Sequence, residues 1–177
     1  VAFLESTVNE FYADASDNAY CYAERDHELL LARIAEGWNN ERNFDRAPVL
    51  AKYQKILAIA GRPQFGKEDP LLADVQTLIG IRNYLMHYRR EWVVIQDSGV
   101  TGGAQETQGE KIGKILMGRV APNPLAPENQ PFFPNRCLGH GCAEWGVTSA
   151  LAFTDEFFSR LGLPAPYEAV KKELLTR

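Results

Sequence analysis

Long apolar runs are missing from this 177-residue sequence. No stretch approaches the ~18–20 consecutive apolar residues that a membrane-spanning helix requires. No positively charged, apolar signal segment opens the chain, so neither membrane insertion nor signal-directed secretion is expected. Cysteine is scarce: three residues, an odd number, offer no disulfide framework and fit reduced thiols in the cytoplasm. A strong charge of one sign is missing too. The 19 Lys and Arg against 23 Asp and Glu leave a formal charge of −4. That balance argues against nucleic-acid binding driven by global charge, although a few well-placed cations suffice for phosphate contacts. Internal repeats and the period-two alternation of a sheet are absent, with Val93-Val94-Ile95 readable as a lone strand or as helix-end packing.

What is present is a globular balance, 45% hydrophobic and 24% charged, on a chain of the right length for one domain with a real core. Apolar residues recur at three and four residues from Val1 to about Gly37, as in Leu4, Val8, Phe11 and Tyr12, then Leu29, Leu30 and Ile34. Ser16-Asp17-Asn18 shifts the register, leaving one long helix or two, and Trp38-Asn39-Asn40 reads as a break. Val49, Leu50, Tyr53, Ile56 and Leu57 form the stripe of a helix over 48–60, stopped by Gly61-Arg62-Pro63. Asp69 as N-cap and Pro70 at the first helical position open the next helix, which the pattern carries to about Glu91 or Trp92. Its apolar face is assigned to Leu71, Leu72, Val75, Leu78, Ile79, Leu85 and Met86.

Residues 97–136 form a long Pro/Gly-rich insert. A Gly/Thr/Gln-rich loop is followed by one short helix over 111–120, then by a Pro-rich irregular stretch held down by Phe132 and Phe133. A strong helix from about Cys142 to Leu161 and a short helical tail over 167–175 complete the chain. The expected fold is a single all-α domain over 1–177, an antiparallel helical bundle joined by short loops.

The most informative segment is Arg82-Asn83-Tyr84-Leu85-Met86-His87. An imidazole serves as general base or acid near neutral pH, and a guanidinium holds phosphate oxygens in a fork. RNA cleavage without a metal needs both: a group to take the 2′-hydroxyl proton and a cation for the phosphorane. Asn83 and His87, four apart, share a helix face, so Asn83 could orient the imidazole or contact a phosphate. Arg82 lies roughly 140° around the helix from His87 at 3.6 residues per turn, so its stem must curl, or two chains must share the site. The plainer alternative has His87 at a packed helix end and Arg82 paired with Asp74 or Glu91.

Leu78-Ile79-Gly80-Ile81-Arg82-Asn83-Tyr84-Leu85-Met86-His87-Tyr88 resembles the motif helix of the HEPN superfamily, in which Arg is followed after four to six residues by His, often with a polar residue directly after the Arg. The resemblance implies a compact helical bundle, frequently dimeric, akin to toxin or abortive-infection (phage-defence) endoribonucleases that cut RNA without metal. Arg82 and His87 would take the catalytic positions and Asn83 the polar one. A homodimer, an RNA substrate and an antitoxin or other protein partner are then expected, with no cofactor and no membrane. Some members of the superfamily serve instead as non-catalytic modules that bind a nucleotide or a protein. Residues 97–136 do not align with the family pattern.

Arg89 and Arg90 extend the segment as candidate RNA-phosphate contacts, or form a solvated helix end. Cys137, His140 and Cys142 place three zinc-type ligands within six residues, but a closed site needs four. The favoured reading of that stretch is a Gly-rich turn into the last helix, with no metal, and a redox-sensitive thiol pair as a further option. Gly99-Val100-Thr101-Gly102-Gly103 lacks the Lys-Ser/Thr pair of a phosphate loop.

Overall fold

Apolar residues spaced three and four apart fold as helices across residues 1–17, 25–40, 44–87 and 106–174, the part of the chain described in this computed structural model. Among these residues the fold is all-α: α1 (Ala2–Asp17), α2 (Arg25–Asn40), α3 (Val49–Ile59), α4 (Pro70–Met86), α5 (Gln108–Leu116), α6 (His140–Leu161) and the short α7 (Lys171–Leu174). The only β-type pairing among them is an isolated bridge between Met117 and Val120. No helix of the described residues is long and apolar enough to cross a membrane.

Local chemistry accounts for most of the boundaries. After α3, Gly61 adopts φ +67°. Its N–H donates to the Ala58 carbonyl at 3.0 Å and that of Arg62 to the Leu57 carbonyl at 2.8 Å, the paired bonds of a Schellman stop. Ahead of α4, the Asp69 carboxylate accepts the Leu71 N–H at 3.0 Å, as an N-cap should.

Two helices depart from the pattern in the sequence. α2 continues through Trp38-Asn39-Asn40, because the Trp38 ring packs 3.9 Å from that of Tyr12 and edge-on to Phe44. Tertiary contact there outweighs the weak helix propensity of asparagine. α4 is described as far as Met86, and the expected continuation toward Glu91 or Trp92 falls outside the described residues. α5 begins at Gln108 and ends at Leu116, three residues earlier at its start than expected. A capping box sets that start: the Glu110 N–H donates to the Thr107 hydroxyl at 3.1 Å, and the Thr107 N–H to the Glu110 carboxylate at 2.8 Å. The alternative of one N-terminal helix or two, the Val93–Ile95 segment and Cys21 all fall outside the described residues.

The chain divides into two compact units, Val1–Ala73 with Ala150–Leu174, and Asp74–Ser149. The first has an aromatic core. Phe157 meets Phe11, Tyr53 and Phe158 edge-on at 6.0, 4.7 and 5.1 Å, and Phe153 stacks on Phe65 at 4.4 Å. The Tyr53 hydroxyl, buried deeply enough to push its pKa upward, donates to the Leu4 carbonyl at 2.9 Å. Arg160 lies over the Phe65 ring and donates to Asp69 and Glu156.

The second unit has a smaller core of Ile81, Ile112, Leu116, Val120, Phe133 and Cys137, with Tyr84, Phe132, Leu138 and Trp145 packed against it. Phe133 thus anchors the Pro-rich stretch, as the sequence suggests. Gly139 and Gly141 let the start of α6 approach that stretch closely. A Cβ on Gly141 would stand 3.1 Å from the Ala121 nitrogen, and one on Gly139 3.2 Å from the Asn123 Cβ.

Candidate functional site

The last turns of α4 are positioned by a stripe that steps in threes. Val75 and Ile81 are buried, Leu78 packs toward Gly146, and the Tyr84 ring stands 5.0 Å from that of Phe133. Each step of three falls about 60° short of a full turn, so the buried face winds around the helix. By the final turn it has reached Ile81 and Tyr84. Leu85 and Met86, which the sequence pattern places on the apolar face, are therefore left outside, 51% and 66% exposed. This corrects the assignment of those two residues.

Arg82, Asn83 and His87 are all exposed on this turn. Arg82 and Asn83 point to opposite sides of the outward direction, about 100° apart. The guanidinium nevertheless folds across the helix, and Arg82 Nη1 donates to Asn83 Oδ1 at 3.1 Å. The His87 N–H donates to the Asn83 carbonyl oxygen at 3.0 Å. Asn83 is thus bonded to both partners, through its side chain to Arg82 and through its backbone to His87. Asp74, one of the carboxylates available to Arg82 in the sequence, pairs with Arg119 instead. The His87 side chain is exposed rather than held in an apolar packing site.

Arg89 and Arg90 lie outside the described residues, as does Glu91. The Cys137, His140 and Cys142 trio does not converge. Cys137 is 0% and Cys142 9% exposed, whereas His140 faces solvent. Burial pushes the Cys137 thiol up to about 11 and raises that of Cys142 as well, disfavouring the thiolates that zinc requires. Among the described residues no group of three His, Cys, Asp or Glu side chains is arranged to hold a metal ion. The two glycines of Gly139-His140-Gly141 are accounted for by the close approach to residues 121–123.

Sequence reasoning missed the exposed apolar pair beside the motif. The signal was available in the three-residue spacing of Val75, Leu78, Ile81 and Tyr84, which rotates the buried face away from Leu85. No family model matches the chain, and no curated protein or solved structure matches it.

Proposed function

We propose that this protein is a HEPN-like, metal-independent endoribonuclease of toxin or phage-defence type, acting in the cytoplasm as a homodimer. The observation that carries the reading is the Arg82–Asn83 hydrogen bond on an exposed turn. It draws a permanent cation to the helix face that Asn83 shares with His87, the arrangement that geometry demands if one chain is to bring the pair together.

In this reading His87 takes the proton from a ribose 2′-hydroxyl, which attacks the adjacent phosphorus. Arg82 stabilises the charge on the phosphorane, and Asn83 holds the guanidinium in place between turnovers. The leaving 5′-oxygen needs a proton as well. One turn presents one imidazole, so a second copy of the turn, facing the first, supplies the acid. Arg89 and Arg90 extend the phosphate contacts, and an antitoxin would act by covering this surface.

The test is cleavage of RNA by purified protein in EDTA. The expected products carry cyclic phosphate ends, and His87→Ala abolishes their formation. Equal cleavage by the variant removes the assignment.

A second reading is favoured by one observation, the exposure of Leu85 and Met86 beside the motif. Apolar side chains there suit a protein partner, as in a non-catalytic HEPN-like binding module. That reading expects partner binding that survives His87→Ala, with no RNA cleavage by either form.

A further inference from the structure

Both methionines of the chain are exposed, Met86 by 66% and Met117 by 62%. Buried methionine fills gaps in a core, and neither residue does so here. Met86 is the last residue of α4 and directly precedes His87. The bond from the His87 N–H to the Asn83 carbonyl oxygen, at 3.0 Å, keeps the turn helical to that point. Residues three and four apart are neighbours on a helix surface, and those before Met86 are Asn83 and Arg82.

Those two residues hold each other, with Arg82 Nη1 donating to Asn83 Oδ1 at 3.1 Å. Long side chains on a helix lean back over the preceding turn, and the turn preceding Met86 is the one that carries this bond. A thioether sulfur is a weak acceptor and offers the guanidinium little. Oxidation to the sulfoxide turns that apolar side chain into a polar one with an oxygen acceptor. A guanidinium carries several N–H donors, so it can take a second acceptor without leaving Asn83. Leu85, exposed on the same turn, has no atom that could be converted in this way.

We propose that Met86 is an oxidation site for hydroperoxides, and that its sulfoxide oxygen binds the Arg82 guanidinium. In the oxidation a lone pair of the Met86 sulfur attacks the terminal peroxide oxygen, the O–O bond breaks and an S–O bond forms. The proton of the attacked oxygen passes to the one that leaves, as an alcohol or, from hydrogen peroxide, as water. Sulfur gives up two electrons and the peroxide takes both. Return needs two thiols, which join as a disulfide while the sulfoxide oxygen leaves as water. Oxidation thus occupies N–H groups that would otherwise fork onto a phosphate. As regulation of the proposed site this rests on the ribonuclease reading, whereas the modification and its capture of Arg82 do not.

The test needs no RNA, so its failure is distinct from failure of the ribonuclease reading. Native full-length protein is treated with hydrogen peroxide and digested with trypsin. Cleavage after Arg82 and Arg89 releases Met86 within residues 83–89, and cleavage after Lys114 and Arg119 releases Met117 within residues 115–119. The 83–89 peptide is expected to gain one oxygen mass and to lose it after treatment with a sulfoxide reductase and dithiothreitol. In NMR spectra of the intact protein, the Arg82 guanidinium N–H signals, assigned by their loss in Arg82→Lys, should shift on oxidation. They should also exchange with water several-fold more slowly, and both changes should reverse on reduction. Met86→Gln places an amide oxygen at the same position and should show the changed signals before any oxidant. Met86→Leu should keep the unchanged signals after oxidant, and Met117→Leu should respond as wild type does. An 83–89 peptide without added oxygen would overturn the proposal. So would Arg82 signals that stay unchanged in oxidised wild type, or that change equally in Met86→Leu.

Discussion

The two units of the chain solve the same packing problem with different materials. The first is held by interlocking rings, with Phe157 in edge contact with three other aromatics and the Tyr53 hydroxyl tied to the α1 backbone. The second is built on aliphatic side chains around Phe133 and Cys137, with Tyr84, Phe132 and Trp145 only partly buried against them, and on close backbone approach at Gly139 and Gly141. The candidate residues lie on the second, where Arg82, Asn83, Leu85, Met86 and His87 are exposed on or directly after the last turns of α4. Stability in the first unit resides in its side chains. In the second, the side chains that matter for the proposed function are not those that hold it together.

Truncation of the aromatic core is the largest expected effect. Phe157→Ala should cost about 3–5 kcal/mol, read as a fall in the urea unfolding midpoint, because it removes three ring contacts from a site without solvent. A cost near that of a surface substitution would break the contrast. Gly141→Ala comes next. The steric penalty of about 1–3 kcal/mol against the Ala121 backbone exceeds the ~1 kcal/mol that alanine gains in helix propensity. A net loss of stability is expected by the same measurement, and a net gain would show that the 121–123 stretch yields easily.

Smaller still is Thr107→Ala, at about 1 kcal/mol, from the lost cap on α5. The Thr107 backbone N–H, and then its side chain, hold the Glu110 carboxyl below the usual carboxylate range. A depressed folded-state pKa gives stabilisation that is present above the ordinary carboxylate value and is lost as pH falls through the folded value. The difference between wild type and Glu110→Gln, followed by amide exchange in the first turn of α5, should therefore be seen at neutral pH and vanish in acid. A difference that persists in acid would separate the cap from the charge.

The sequence made some of this legible and hid the rest for identifiable reasons. Asp69-Pro70 and Gly61 announce their boundaries because caps and left-handed stops depend on local chemistry alone. Thr107 and Glu110 also carry a local signature, but it sits at the edge of a Gly-rich stretch that reads as loop. Leu85 and Met86 look buried when apolar residues are simply collected. Only the winding of the Ile81 and Tyr84 stripe, fixed by contacts with Phe133 and α5, turns them outward. The candidate site was visible as residue types and spacing. The curl of Arg82 onto Asn83 was not, because a long side chain on an exposed turn has several staggered paths and spacing does not choose among them.

The most direct test of the central claim pairs two readouts on His87→Ala. An exposed residue carrying function and little stability should leave the unfolding free energy within about 0.5 kcal/mol of wild type while RNA cleavage in EDTA disappears. Cleavage that persists at the wild-type rate, with cyclic phosphate ends, would contradict it.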